Sequence, residues 1–375
     1  MAVVHPFLYT RGGAERVVLE VARHFNAKIF CSRYSPDDTF PEFRELDVEV
    51  VDSRVSGVIP GALPLRVRDA VSAGFKFYRM KLEGFDVVNA QGTPSEWIRN
   101  RNSPVVWYCH TPNREAFDLY RWRMSRRRLH QKALYWSMLQ PYRLMESRLV
   151  PKIEFVFANS VNTQSRIKQY LGRESTVLNP CVDYEQFGSE SYGKYFFYPS
   201  RIAPEKRFEY AIEAFREFRK THRGWKLVIA GALMSEREEH VEYSRKIRRM
   251  LGRDGQLLLD IPHKRLIELF SNCMGVLYTP VNEDFGIVPL EALASCKPCL
   301  AVNEGGPKEV IVDGVNGFLV NSPQELAEKM SLLAGDPGLA EKMGRAGRRH
   351  VEKNFSWRHF FRVFGDACRR AAGKR

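Results

Sequence analysis

The chain has 375 residues, 44% of them hydrophobic and 27% charged, with a formal net charge of +14. That length exceeds one ordinary hydrophobic core and suits two domains, while no apolar run approaches the ~18 residues of a membrane-spanning helix. The positive excess calls for an acidic partner, and nucleic acid, anionic lipid or a phosphorylated substrate would each serve.

The start, M-A-V-V-H-P-F-L, lacks a basic segment followed by a long apolar one, so a cytoplasmic protein without a secretory leader is expected. Val3 and Val4 read as the end of a short strand. After a loop, R-G-G-A-E-R-V-V-L-E-V-A-R-H-F places Val17, Val18, Val21 and Phe25 at helical spacing, and Gly12 and Gly13 open that helix. Glycines there either make the turn or let backbone approach a ligand. Strand-like segments at 28–31, 48–51 and 85–90 then alternate with a helix over 66–79. A further strand, 104–109, leads into His110-Thr111-Pro112. Such alternation implies a parallel sheet covered on both faces, with ligands bound beyond the carboxyl ends of its strands, where His110 stands.

The stretch from Arg121 to Lys152 carries nine Lys or Arg against Glu146 alone. Trp122, Leu129, Leu134, Trp136, Met138 and Leu139 interleave with these charges, a composition of helices that lie on anionic membranes and also of nucleic-acid surfaces. Arg126, Arg127 and Arg128 form the densest cluster. A strand at 155–159 then enters a helix that Ser160 or Asn162 can cap. The polar, glycine-containing run 188–194 marks a boundary, giving domains 1–187 and 188–352.

The second half repeats the pattern, with strands at 195–199, 226–230, 256–260, 275–279 and 298–302 and helices at 208–220, 238–251 and 263–271. The tail from 353 is basic, and Phe360, Phe361 and Phe364 need a surface, so this helix is expected to pack back on the first domain. Seven cysteines, an odd number scattered through apolar stretches, are expected to be reduced and buried. Cys296-Lys297-Pro298-Cys299 leaves a helix and enters a strand, the reverse of a redox placement, and no second pair completes a zinc site.

The stretch Asn282–Ala292, N-E-D-F-G-I-V-P-L-E-A, sets Glu283 and Glu291 eight residues apart with a helix start between them. The free amides of a first helical turn favour anions, so Phe285, Gly286, Ile287 and Val288 form a candidate phosphate cradle. Arg201 and Lys206 follow a strand of the same sheet, where cations can neutralise a diphosphate leaving group. Different placement along a ligand, not an acid and nucleophile about 5 Å apart, is what this spacing implies for the two glutamates.

Several motifs together resemble the retaining GT-B glycosyltransferases of family 4, also called glycosyltransferases group 1: G-G-A-E-R-V near the start, H-T-P at His110, S-R-I-A-P-E-K-R at Ser200, I-A-G at Ile229, E-D-F-G-I-V-P-L-E-A-L-A-S at Glu283 and E-G-G-P-K-E-V at Glu304. The resemblance implies an α/β architecture of two Rossmann-like domains with parallel sheets facing a central cleft. It also implies a nucleotide-sugar donor, with no cofactor or metal required. In such enzymes Gly12 and Gly13 would approach the donor phosphates, Arg201 and Lys206 would bind them, and Glu283 would face the sugar. Glu291 would hold the ribose, Ile261 would lie by the base, and His110 would stand beside the reacting sugar. Cys296 stands where a glycine is common, and Ala232-Leu233 replaces a more polar turn.

Tyr108-Cys-His-Thr-Pro followed by Phe117-Asp118-Leu119-Tyr120 resembles a subset that uses GDP-mannose to extend lipid-linked or surface glycans, UDP-sugars being the alternative. A polyprenyl-linked or polysaccharide acceptor and an anionic membrane surface on the cytoplasmic side are then the expected partners, with no nucleic acid. The reading from another class is a basic nucleic-acid-binding protein without transferase activity.

Overall fold

A computed structural model describes residues 1–51, 65–125, 127–235 and 238–373. The chain divides into two compact units, Met1–Pro180 with Arg358–Arg375, and Cys181–Trp357.

The first unit contains β1 (Ala2–Leu8), α1 (Gly13–Phe25), β2 (Lys28–Tyr34), β3 (Val48–Val50), α2 (Leu65–Arg79), β4 (Val88–Gln91), β5 (Val105–Cys109), α3 (Tyr120–Ser125), α4 (Leu129–Leu149), β6 (Phe155–Ala158), α5 (Val161–Leu171) and β7 (Thr176–Val177). Its seven strands lie in the order β3-β2-β1-β4-β5-β6-β7, each pair parallel. Strands buried on both faces read as unbroken apolar runs rather than as alternation, and β5, Val-Val-Trp-Tyr-Cys, is buried at every position. The first strand is longer than Val3 and Val4 suggest, because it pairs along β2 from Ala2 to Leu8.

The second unit contains β8 (Tyr195–Pro199), α6 (Phe208–Arg219), β9 (Lys226–Gly231), α7 (Glu238–Leu251), β10 (Gly255–Leu259), α8 (His263–Asn272), β11 (Gly275–Tyr278), α9 (Ile287–Ala294), β12 (Cys299–Val302), α10 (Pro307–Val310), β13 (Gly317–Val320), α11 (Pro323–Gly335) and α12 (Pro337–Asn354). Its sheet, β10-β9-β8-β11-β12-β13, is again parallel throughout. The alternation of strands and helices in the sequence thus becomes two doubly wound parallel sheets.

The last helix, α13 (Trp357–Ala371), uses the three phenylalanines on the first unit. Phe360 packs against Tyr108 and Phe364 against Phe157, with ring centroids 5.5 and 5.6 Å apart, while Phe361 stacks on His24 at 3.9 Å. Six of the seven cysteines are buried and all are free thiols. Among the described residues no helix is long and apolar enough to cross a membrane.

Candidate active site

In the second unit the chain winds outwards from β8 through β9 to β10, then returns to the other side of β8 as β11. The connections after β8 and β11 leave in opposite directions, which opens a crevice at their carboxyl ends. Here Lys206 and Glu283, 77 residues apart, pair at 2.7 Å, with only 11% and 16% of their side chains exposed. Backbone links fix the two loops: Val281 N–H donates to Glu205 C=O at 2.9 Å, and the Tyr198 hydroxyl accepts from Thr279 N–H at 3.0 Å while donating to Lys206 C=O. Burial raises the Tyr198 pKa, keeping that hydroxyl protonated for the job.

Arg207 adds a third loop. Its guanidinium donates to the carbonyls of Thr279 and Pro280, both at 2.9 Å, and to Glu304 at 3.0 Å. The backbone of Arg207 is left-handed, with φ 48°, a conformation costly for a non-glycine residue unless its surroundings hold it. Glu304 opens the E-G-G turn after β12, and its other oxygen accepts from Asn282 N–H at 3.2 Å.

The corner predicted from N-E-D-F-G-I-V-P-L-E-A forms as a helix start, α9 beginning at Ile287. Phe285 turns into the core at 2% exposure and anchors the corner. Gly286 sits at φ 90°, and a Cβ there would lie 2.9 Å from the Tyr278 ring. The E-G-G turn packs directly on this corner: a Cβ on Gly306 would meet Phe285 Cα at 2.3 Å, and Gly306 N–H donates to Glu283 C=O at 2.9 Å. The backbone carrying Glu283 therefore touches backbone on its far side. The helix leaves its first amides without intrahelical partners, with Ile287 and Val288 half-buried beside them and Glu291 half-buried one turn further along.

Arg201 follows β8 and is the more exposed cation, 45% of its side chain reaching solvent, with Glu205 3.6 Å away. Its backbone is set by β9, because Ser200 and Ile202 N–H donate to Ala230 and Ala232 C=O. The I-A-G glycine allows this: a Cβ on Gly231 would lie 1.8 Å from Ser200 O. Ile261 occupies the loop after β10, next to this strand end, with Asp260 accepting from Leu233 N–H at 3.2 Å.

The first unit has its own crossover, between β1 and β4. His5, buried within β1, contacts Gln91 C=O through Nδ1 at 2.9 Å, and the Gln91 amide donates to Asn89 at 2.8 Å. His110, just beyond β5, places Nε2 3.2 Å from Gln91 Oε1 and packs edge-on against Tyr108. Burial, and then the nearby His5, push the His110 pKa down to about 3 against the opposing pull of Glu15. The imidazole is thus neutral at physiological pH. Gly12 caps α1 in extended backbone, and its hydrogen makes room for Glu15, whose Oε2 would lie 2.5 Å from a Cβ there. Glu15 also accepts from Thr10 at 2.8 Å and lies 4.0 Å from His5. Burial would raise its pKa, but His5 and Thr10 prevail and lower it. This helix start, beginning at Gly13, therefore has a carboxylate of its own.

The model of "Glycosyltransferase Family 4" matches residues 11–186 and that of "Glycosyl transferases group 1" residues 182–350. The human alpha-1,3/1,6-mannosyltransferase ALG2 is 30% identical over 94% of this chain and 91% of its own length. The enzyme of the same name from Dictyostelium discoideum is 27% identical over 96% and 95%. The chain belongs to the group 1, family 4 glycosyltransferases. Among solved structures, Anabaena HepE in complex with UDP and glucose superposes with a TM-score of 0.73 at 19% identity, covering 98% of both chains. Sucrose-phosphate synthase from Thermosynechococcus elongatus gives 0.76 at 17%, again over 98% of both. These likenesses establish the GT-B fold, and the family establishes a nucleotide-sugar glycosyltransferase.

Within this glycosyltransferase the residues singled out in the sequence fall into separate groups. Lys206, Glu283, Gly286 and the start of α9 converge in the second unit, with Arg201 and Ile261 on neighbouring strand ends. Gly12, Gly13 and His110 belong to the first unit. Of the arginine cluster, Arg126 lies outside the described residues and Arg128 is exposed. Arg127 turns inward, 3.5 Å from Glu115 and over the Tyr135 ring at 3.4 Å, so it serves packing rather than an outer surface. Sequence reading missed Tyr198, Arg207, Gln91 and the His5–Glu15 pair. Glu304 stands within E-G-G-P-K-E-V and Arg207 ends S-R-I-A-P-E-K-R, but their pairing across 97 residues was not visible.

Proposed function

We propose that this glycosyltransferase transfers mannose from GDP-mannose, with retention at the anomeric carbon, to a lipid-linked glycan at the cytoplasmic face of an anionic membrane. The observation that carries this reading is the 30% identity with an alpha-1,3/1,6-mannosyltransferase across 94% of the chain. The crossover site of the second unit supports it by offering what a diphosphate leaving group needs. Arg201 and Lys206 neutralise the departing charge, the free amides of α9 bind the phosphate nearest the sugar, and Glu291 takes the ribose hydroxyls. Glu283, paired with Lys206, receives hydroxyls of the sugar. These cations and amides meet the charge demand without a divalent ion.

In the step itself the bond from C1 of mannose to the phosphate oxygen breaks as the acceptor oxygen forms its bond to C1 on the same face. The acceptor proton passes to the departing phosphate oxygen. No side chain is alkylated, and neutral His110 offers the sugar a hydrogen bond without adding charge.

The donor is tested by thermal unfolding with GDP-mannose, UDP-glucose, UDP-GlcNAc and UDP-galactose, because a ligand that binds only the folded state raises its stability. The expected result is protection by GDP-mannose above the other three. Protection by a UDP-sugar alone overturns the mannose reading, and tight, salt-sensitive nucleic-acid binding without donor turnover overturns the transferase mechanism.

A further inference from the structure

The outward face of α4 carries an apolar stripe that the described residues leave exposed. Leu129 is 82% exposed, Trp136 56% and Leu144 49%. With Ala133 between the first two, they recur at intervals of four, three and eight residues, which aligns them along one side of a helix. The opposite side is the packed one, where Glu146 is buried and accepts from Trp97 Nε1 at 2.6 Å, while Arg143, at the edge of the stripe beside Trp136, donates to Ala116 C=O at 2.9 Å. Glu146 is the only acidic residue of α4. Its exposed surface is therefore apolar and cationic, with Arg128 at its start and Arg148 near its end both exposed.

We infer that this stripe is the surface by which the enzyme docks on a bilayer containing anionic lipid, with Trp136, Leu129 and Leu144 entering the boundary between headgroups and acyl chains. The inference rests on the proposed membrane location and deepens it, because it moves the contact from a charge cluster to an apolar insertion. Arg127, spent on Glu115 and Tyr135, contributes packing. Arg128 and Arg148 flank the stripe where phosphate headgroups would lie, the arrangement of helices that rest in the interfacial plane. A solvated helix would place charges where Leu129 and Trp136 stand. A second copy of the chain, as the alternative occupant, would bring the same positive rim against itself.

The test is co-sedimentation of the full chain with phosphatidylcholine vesicles containing about 30% phosphatidylglycerol, a composition with a strong negative surface potential. Three proteins are compared: the parent, the triple variant Leu129→Ser/Trp136→Ser/Leu144→Ser, and the double variant Arg128→Ser/Arg148→Ser. Thermal midpoints equal to the parent's establish that the exposed substitutions leave the fold intact. The triple variant is expected to lose roughly tenfold or more in vesicle partitioning even at low salt, as insertion requires. The double variant is expected to bind at low salt and lose binding more steeply as salt rises. Unchanged partitioning of the triple variant overturns the insertion. A parent that sizes as a dimer, a triple variant that sizes as a monomer, and no vesicle binding by either would assign the stripe to self-association. A parent that ignores vesicles while turning over GDP-mannose would sink the membrane contact and leave the transferase reading standing.

Discussion

In the second unit the crevice between β8 and β11 is held by formal charges, Lys206 on Glu283 and Arg207 on Glu304. In the first unit the crossover between β1 and β4 is held mostly by amides and imidazoles, Asn89, Gln91, His5 and His110. Both lie at carboxyl strand ends of similar sheets, so topology alone does not set their chemistry. An ion pair can be re-partnered by an arriving anion, whereas buried side-chain amides such as Asn89 and Gln91 hold their geometry and carry no charge to offer. The comparison predicts that charge changes should be felt as lost turnover in the second unit and that polarity changes in the first should act through positioning.

The largest effect is expected where the charged crevice depends on bare backbone. Gly306→Ala sets a methyl group against Phe285 Cα, where no flexible side chain can yield. Overpacking of this kind costs ~1–3 kcal/mol, and it displaces the segment bearing Glu283. Thermal unfolding should show the loss of stability, and activity at saturating donor should fall below that of any charge variant. A fully active Gly306→Ala enzyme would mean that the corner does not need its contact with the E-G-G turn.

Lys206→Ala comes next, with kcat reduced by roughly 10²- to 10³-fold, the range for losing one preorganised charge-stabilising group. It also removes the Lys206 cation from Glu283 at 16% exposure, so the carboxylate proposed to receive the sugar hydroxyls loses that orienting contact. Steady-state kinetics separate the alternatives: a raised KM with unchanged kcat would make Lys206 a ground-state binder.

His110→Asn sharpens the contrast from the other side. Because the imidazole is neutral, its pKa held near 3 by burial first and by His5 second, replacing it with a neutral amide changes no charge above about pH 5. A loss of about tenfold in kcat is expected, at the lower end of the range for a positioned polar group, with the shape of the pH–rate profile unchanged between pH 6 and 8. A limb near pH 6.5 that disappears in the variant would show that His110 titrates during turnover.

Much of this was legible in the sequence because it is local. The helix start after Gly286, the glycines of I-A-G and E-G-G and the alternation of strands with helices are each written within a dozen residues. The three phenylalanines of α13 announced a surface to be covered. What the sequence hid are the pairings that sheet order creates. Tyr198 reads as one more apolar strand residue until β11 is laid beside β8 and Thr279 reaches its hydroxyl. Lys206 and Glu283 look like separate ligands for separate parts of the donor, yet they are partners. Arg127 counts as surface charge in the sequence, and only the folded chain shows its guanidinium resting on Tyr135.

The smallest effect on turnover concerns two buried acids, Glu96 and, on the packed side of α4, Glu146. Glu96 and Glu146 are both buried, and the indole of Trp97 donates to Glu146. Burial first and the charge of Glu146 second raise the Glu96 pKa well above the usual carboxylate range; burial also raises that of Glu146, against opposing hydrogen bonds. Glu96 therefore keeps its proton in the folded chain at pH values where the unfolded chain releases it. Its contribution to stability is complete below the ordinary carboxylate pKa and is lost as pH rises towards the raised value. Glu96→Gln substitutes a permanently neutral group of similar shape. Its thermal midpoint should exceed the parent's at pH 8, the difference shrinking towards pH 5, with turnover little changed because the carboxyl of Glu96 is not among the groups that line either crevice. Circular dichroism melts across that range decide the matter: a gap that stays constant with pH would show that Glu96 is not the group taking up the proton.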